Sequence, residues 1–327
     1  MPDLAIDIIR SAALILMLLT GMAYMTLFER RVISRLQVRL GPNRTGPTGL
    51  LQPLADALKL FFKEDIVPSA ADRLLYPIAP ALALIAALAA FAVIPLGPPI
   101  QLGGMSIDLQ VVELPVSLLY LIGASSLGVY GLVFGGWASG SKYSLLGGLR
   151  AAAQVVSYEL ILGLAVVGVV MISGTLALGG IVDAQARSVW YILLQPLGFI
   201  LYAVGAVAEV NRAPFDLPEA ETELVAGYHT EYSGMRFAMY YIAEYVNMIT
   251  VSAVAATLFL GGWHGPFLPG PHWLLLKMLG FLFLFVWLRA TLPRLRYDQL
   301  MGLSWSVLLP LSLINVAITA IAVAAFG

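Results

Sequence analysis

The chain has 327 residues, of which 60% are hydrophobic and 11% charged, and its formal net charge is −1. Its mean hydropathy is +0.89. Soluble globular domains carry about 25% charged residues, so this composition excludes an ordinary soluble protein and predicts an all-α polytopic membrane protein. The sequence contains no cysteine, which excludes disulfides, thiolate-bound iron–sulfur clusters and zinc–thiolate sites in this chain.

Eight apolar runs have the length of a membrane span, which requires about 20 residues. The first is not a removable signal peptide, because it lacks a small-residue cleavage site and meets Glu29, Arg30 and Arg31. We therefore predict a single transmembrane domain over residues 1–327 with eight helices. The approximate spans are 12–28, 74–95, 114–137, 151–173, 189–208, 238–260, 273–292 and 302–325.

Basic residues predict the orientation of these spans. The connecting segments 29–73, 138–150, 209–237 and 293–301, with their flanks, hold 15 of the 18 Lys and Arg residues. Because basic loops are retained on the cytoplasmic side, we predict that these four segments are inside loops. Both termini are then expected outside.

The first inside loop contains a short amphipathic segment, residues 52–65. Leu54, Leu58, Phe61 and Phe62 share one face of a helix there. Its length of about 21 Å is too short to cross a bilayer. Two placements are compatible with this pattern, one at the membrane surface and one against a partner protein.

Three carboxylates fall in the inner half of predicted spans, namely Glu159, Glu209 and Glu244. A charge at the centre of a membrane helix costs roughly 2.5 to 3.5 kcal/mol, so such residues usually face a polar interior. If the three helix faces converge, the acids form a chain of proton-exchanging groups. The structural alternative is that each acid pairs privately with an arginine, the nearest in sequence being Arg150 and Arg236.

The segment from Glu209 to Arg236 contains six acids and interrupts the apolar second half of the chain. Asp216 and Glu219 have the spacing of a capping box, which predicts a short helix to Gly227. Capping leaves the roles of Glu221 and Glu223 unexplained.

Three stretches carry a resemblance to a known family. They are residues 29–65, ERRVISRLQVRLGPNRTGPTGLLQPLADALKLFFKED; residues 136–159, GWASGSKYSLLGGLRAAAQVVSYE; and residues 209–248, EVNRAPFDLPEAETELVAGYHTEYSGMRFAMYYIAEYVNM. The chain resembles the membrane proteins that join the membrane arm of respiratory complex I to its peripheral arm, the H subunits of bacterial NADH-quinone oxidoreductase. The resemblance covers nearly the whole chain.

This resemblance implies a bundle of tilted helices that walls a quinone chamber. Its inside loops would dock peripheral subunits that carry the last iron–sulfur cluster. The membrane proton path would contain Glu159, Glu209 and Glu244. The quinone chamber and coupling loop would contain Glu219, Glu221, Glu223, Asp216, Arg212, Arg30, Arg31, Asp56, Asp72 and Arg294. The amphipathic helix would lie at the quinone entrance, which favours its placement at the membrane surface.

The resemblance further implies a translocase of the respiratory chain in the bacterial cytoplasmic (inner) membrane, with periplasmic termini. Quinone, such as ubiquinone, would be the substrate, while NADH, FMN and the iron–sulfur clusters would be bound by partner subunits. This chain would contain no redox centre, no catalytic residue and no metal site, and no nucleic acid is expected as a partner. The alternatives are a homologous component of a membrane-bound hydrogenase or another dehydrogenase, a docking scaffold without a proton role, and a free-standing ion-coupled transporter.

Overall fold

The computed structural model describes residues 2–102, 105–218 and 224–326. The regular secondary structure in this part of the chain is helical apart from two short antiparallel strands, in which Ile100–Leu102 (β1) pairs with Met105–Ile107 (β2). The helices are α1 (Pro2–Leu36), α2 (Gln52–Phe62), α3 (Leu75–Phe91), α4 (Ser117–Ala138), α5 (Lys142–Ser173), α6 (Leu178–Arg187), α7 (Tyr191–Leu194), α8 (Pro196–Glu209), α9 (Gly234–Phe259), α10 (Pro271–Thr291), α11 (Tyr297–Gly302) and α12 (Leu309–Phe326). A π-helical turn, Leu303–Leu308, joins α11 to α12.

Six helices in the described ranges are long and apolar enough to cross a membrane. The prediction of eight spans is therefore not confirmed, because the other two predicted spans contain shorter helices. These are α3, with 17 residues, and α8, with 14. Proline explains the short α8, since Pro196 lacks the backbone N–H that would continue α7 into α8. The broader prediction of a helical membrane fold is confirmed.

Helix α9 is the centre of the bundle. The most apolar part of α9 is 83% buried, whereas the corresponding parts of the other five long helices are at most 50% buried. It packs against α1, α3, α6, α8 and α10. Small residues allow the close approach of the neighbouring pair α3 and α4, where a Cβ at Gly131 would lie 2.8 Å from Ala83. Gly131 thus allows α3 and α4 to pack closely.

Helix α1 continues eight residues beyond the predicted end of its span, to Leu36. Glu29, Val32 and Ile33 have the i, i+3, i+4 spacing of one helix face, and Val32 and Ile33 pack against the buried core. This register directs Glu29 into the bundle. Helix α5 likewise begins at Lys142, before the predicted start at 151.

The predicted amphipathic helix is present as α2. Its four apolar residues remain exposed, with Phe61 at 65% and Phe62 at 80%. A contiguous apolar face of this kind marks a site of interaction with a membrane or with another protein. Both placements considered from the sequence are therefore compatible with α2.

Lys277 of α10 lies beside the carboxyl end of α9, at the end of the bundle that is opposite to the acidic segment. Its ammonium group donates hydrogen bonds to the carbonyl oxygens of Leu260, Gly262 and His264 at 2.5, 2.8 and 2.6 Å. It also lies 4.9 Å from the centre of the Trp190 ring. A cation at the carboxyl end of a helix satisfies carbonyls that have no partner within the helix. Lys277 therefore fastens the end of α9.

Candidate functional site

Glu29 of α1 is the centre of a charge cluster inside the bundle. The residue is only 3% exposed. Its Oε1 accepts hydrogen bonds from Arg212 Nη1 at 3.3 Å and from Arg289 Nη1. Its Oε2 accepts a hydrogen bond of 2.5 Å from the Tyr245 hydroxyl. These partners compensate the desolvation of a carboxylate that would be costly to bury alone.

Arg212 connects Glu29 to a second carboxylate. Its Nε lies 2.6 Å from Glu244 Oε1, and its guanidinium lies 4.5 Å from the centre of the Tyr245 ring. Burial disfavours the charged guanidinium, but the carboxylates of Glu244 and Glu29 outweigh it and raise the pKa of Arg212 well above its usual value. We call these five residues the Glu29 cluster: Glu29, Arg212, Glu244, Arg289 and Tyr245.

An open cleft of about 820 Å³ reaches this cluster from the carboxyl end of α1. Small-molecule sites in proteins have volumes of roughly 300 to 1,000 Å³. Tyr241, one helical turn before Tyr245, also lines the cleft and donates a 3.0 Å hydrogen bond to the Tyr245 hydroxyl. Glu29 and both phenols thus border the cleft, and the hydroxyls form a hydrogen-bonded series that ends at the carboxylate of Glu29. Besides the two tyrosines, the lining residues are Glu29, Arg30, Ile33, Ser34, Gln37, Arg39, Leu40, Gly41, Pro42, Arg289 and Ala290.

Two further acids, Glu159 of α5 and Glu209 of α8, line a second, smaller cavity. Its volume is about 40 Å³. Glu159 accepts a hydrogen bond from the Ser126 hydroxyl, and the Ser125 hydroxyl lies within hydrogen-bonding reach of Glu209. The structure therefore brings the predicted intramembrane acids of α5 and α8 together.

A third cavity joins the two groups of acids. Glu209 and Glu244 both border this cavity, which has a volume of about 50 Å³. Glu209 and Asn247 border the 40 Å³ cavity as well. A single water needs roughly 10 to 15 Å³ of such space and a few polar partners. Space for water and ionisable groups thus alternates from the large cleft, through the Glu29 cluster, to Glu159.

Asp216 lies at the edge of the same region. Its carboxylate is 3.5 Å from Arg294 Nη2, which also donates a hydrogen bond to the Asp216 carbonyl oxygen. Burial raises the pKa of Asp216 to about 6 against the opposing effect of Arg294. Asp216 is therefore a titratable group near neutral pH.

Four other predicted chamber residues form their contacts outside the Glu29 cluster. Arg30 lines the large cleft and forms a 2.8 Å ion pair with Asp56 of α2. Arg31 donates a hydrogen bond to the Thr48 carbonyl oxygen. Asp72 borders a separate cleft of about 460 Å³. Its carboxylate accepts two backbone N–H groups at the start of α3, and these hydrogen bonds lower the pKa of Asp72.

The predictions for Glu219, Glu221 and Glu223, and the capping box that includes Glu219, lie outside the described residues.

The arginines chosen for private pairing were wrong. Arg236 pairs with Asp65 at 3.2 Å, whereas Glu244 pairs with Arg212. Arg150 lies beside the Tyr297 ring, 5.9 Å from its centre. Eight residues along a helix advance the chain by about 12 Å, so an arginine eight positions away is not a direct neighbour.

The sequence pattern did not indicate the roles of Glu29 and Arg289, because both lie at or next to predicted loops. A signal for Glu29 was available, because it shares a helical face with Val32 and Ile33. The contact between Glu29 and Arg289 joins residues 260 positions apart, and local pattern carries no information about such a pair.

In the ranges that the structure describes, no group of three or more His, Cys, Asp or Glu residues is placed to hold a metal ion. The fold and the site define a multi-spanning helical membrane protein in which a charged network leads from an open cleft into the bundle.

The family model for NADH dehydrogenase matches residues 9–320, and the chain belongs to this family. The H subunit of NADH-quinone oxidoreductase from Thermomicrobium roseum is 61% identical over 311 residues, covering 92% of this chain and 91% of the relative. An H subunit of NADH-quinone oxidoreductase from Geobacter metallireducens is 56% identical, covering 93% and 92%. The corresponding H subunit from Frankia alni is 51% identical, covering 96% of this chain and 72% of the relative.

Proposed function

We propose that the chain is a membrane component of a proton-pumping NADH-quinone oxidoreductase, respiratory complex I. The observation that carries this proposal is the continuous series of polar groups from the 820 Å³ cleft to Glu159. The names of the relatives, all of NADH-quinone oxidoreductase, support the identity of the enzyme.

The proposed membrane placement has eight crossings in one transmembrane domain. The 17 residues of α3 extend about 25 Å, close to the hydrocarbon thickness of about 30 Å. Helices α7 and α8 follow each other with one intervening residue, Gln195, and complete another crossing. The basic loops lie on the cytoplasmic side of the bacterial inner membrane, and both termini lie in the periplasm.

The large cleft forms part of the chamber for the quinone headgroup. Peripheral subunits close it and supply the electrons, from NADH through FMN and iron–sulfur clusters, since cysteine ligands are absent from this sequence. Reduction of a quinone to a quinol takes up two electrons and two protons. Negative charge forms on the quinone oxygens before the protons arrive, and the nearby Arg289 and Tyr241 can stabilise that charge.

Protonation changes then pass from the cleft towards the membrane interior. The Tyr241 and Tyr245 hydroxyls lead to Glu29, and Arg212 couples Glu29 electrostatically to Glu244. A change of charge at Glu29 alters the balance of the Arg212–Glu244 pair. From Glu244 the two small cavities lead through Glu209 to Glu159. The acidic segment with Glu219, Glu221 and Glu223 contributes to the chamber wall.

The test is Glu159→Gln in the assembled enzyme. Glutamine keeps the size of the side chain and an acceptor for Ser126, but it cannot carry a proton. We expect assembly to persist and the number of protons pumped per quinone reduced to fall. Asp183→Asn is the matched control, because Asp183 is exposed on α6 and lies outside the proposed path. A well-assembled Glu159→Gln enzyme with normal rate and proton yield would overturn the proton role and favour a docking scaffold.

A further inference from the structure

A fully buried amide, Gln154 of α5, is not used by the proposed path. Its side chain is 0% exposed. The Nε2 group lies within hydrogen-bonding distance of three acceptors, the carbonyl oxygens of Ala208 and Phe215 at 2.8 and 2.7 Å and Asn211 Oδ1 at 3.0 Å. These acceptors enclose the segment 208–215, which contains Glu209 and Arg212. One amide thus holds the turn that presents both charged residues.

The three contacts of the Gln154 amide group cannot all be separate two-centre hydrogen bonds at once. An amide nitrogen carries two hydrogens, whereas three acceptors surround it. The Oε1 atom of Gln154 is buried and has no hydrogen-bond partner among the residues that the structure describes. Asn211 also adopts a left-handed backbone conformation, with φ of 56°, which is uncommon for a residue with a side chain. The acceptors of the turn therefore compete for the same donor.

The same face of α5 makes a second contact with the turn. Tyr158, one helical turn after Gln154, packs against Phe215 with ring centres 5.5 Å apart. Glu159 follows directly. The position of the 208–215 turn is consequently defined relative to the helix that carries Glu159.

We infer that Gln154 is a positioning residue, which holds Glu209 and Arg212 at their distances from Glu159 and transmits displacement of the 208–215 turn to α5. This inference rests on the proposed function, because it concerns the coupling between the Glu29 cluster and Glu159. Competition among three acceptors allows the turn to shift while Gln154 keeps two of its hydrogen bonds.

The test compares Gln154→Met with Gln185→Met in the assembled enzyme. Methionine approximates the volume of glutamine and removes both donors. Gln185 is a matched control, because it is 2% exposed and its Nε2 donates a 2.8 Å hydrogen bond to the Thr257 carbonyl oxygen, away from the acids. A buried hydrogen bond is lost in each variant.

Two measurements are made on each variant. Hydrogen exchange of peptides from residues 207–216 should accelerate roughly tenfold in Gln154→Met, the factor equivalent to about 1.4 kcal/mol, and remain unchanged in Gln185→Met. The number of protons pumped per quinone reduced should fall in Gln154→Met alone. A Gln154→Glu variant, which keeps the length but lacks the NH2 group, should share the pumping defect, and Gln154→Asn should restore part of it.

Unchanged exchange of residues 207–216 in Gln154→Met would overturn the inference, whatever the pumping result. Faster exchange with normal pumping would reduce Gln154 to a structural role and also overturn it. Both outcomes are separable from failure of the proposed function, which is judged by Glu159→Gln.

Discussion

Glu209 and Glu244 border the same cavity of about 50 Å³, although their immediate partners differ in charge. Glu244 faces the Arg212 guanidinium at 2.6 Å, and Glu209 lies beside the neutral hydroxyl of Ser125. The cavity thus joins a carboxylate in an ion pair with an arginine to one whose hydrogen-bond partner is a neutral hydroxyl. The cavity is large enough to hold water between the two carboxylates.

Removal of the Glu29 charge should strongly destabilise the protein. In Glu29→Ala, Arg212 and Arg289 lose a buried counter-charge, and breaking a buried pair costs about 3 to 5 kcal/mol. We expect a lower thermal transition and reduced assembly. Asp7→Asn is the control, because the Asp7–Arg10 pair is exposed and 3.9 Å long, and exposed pairs contribute little. Equal destabilisation by the two variants would contradict the central role of Glu29.

Loss of the Tyr245 hydroxyl should slow quinone reduction. Tyr245→Phe keeps the ring beside Arg212 but interrupts the hydrogen bonds from Tyr241 to Glu29. Positioned proton donors contribute factors of about 10² or more, so we expect a decrease of about tenfold or more in the steady-state rate. Tyr232→Phe serves as the comparison, since the Tyr232 hydroxyl donates to the Tyr76 carbonyl oxygen and lies outside the proposed path. Equal rates in the two variants would exclude Tyr245 from the path.

His229 should make the protein less stable in acid. Burial lowers the pKa of His229 from 6.5 to about 4. The unfolded chain therefore binds a proton at higher pH than the folded chain, and stability present above about pH 6.5 is lost as the pH falls towards 4. His229→Phe preserves stacking on Phe237, at 5.3 Å, and should flatten the fall in melting temperature between pH 7 and 4.5. If the melting temperature of His229→Phe falls with pH as steeply as that of the parent protein, His229 does not determine the acid sensitivity.

Asp216 should make the protein more stable in acid, which is the opposite of the effect of His229. Because burial raises the pKa of Asp216 from 3.8 to about 6, the folded chain binds the proton more tightly than the unfolded chain. Its contribution to stability is then greatest at low pH and declines as the pH rises from about 4 to 6. Asp216→Asn should remove this decline, so that stability rises more steeply with pH than in the parent protein. Identical melting profiles from pH 4.5 to 7 would contradict the shifted pKa.

Helical rise predicted that the three acids lie at a similar depth, whereas their convergence was one of two alternatives that the sequence left open. The sequence also predicted α2, whose apolar spacing is local. The partners of those acids could not be predicted in the same way. Arg212 meets Glu29 across 183 positions, and such contacts depend on how the helices pack.

The lengths of the helices were also only partly predictable from the sequence. Apolar composition indicated a span at 189–208, but Pro196 divides that run into α7 and α8. Conversely, the charged residues after Phe28 suggested a loop, whereas the helical face of Glu29, Val32 and Ile33 continues α1 to Leu36. Average hydropathy locates apolar runs, while helix ends follow backbone chemistry and the pattern of single residues.

The ammonium group of Lys277 gives α9 a fixed end. Leu260, at that end, is 16 residues from Glu244, which corresponds to about 24 Å of helix. Any tilt of α9 about this fixed end would therefore displace Glu244 more than Leu260. The Lys277 contacts thus anchor α9 at the end far from the ion pair of Glu244 with Arg212.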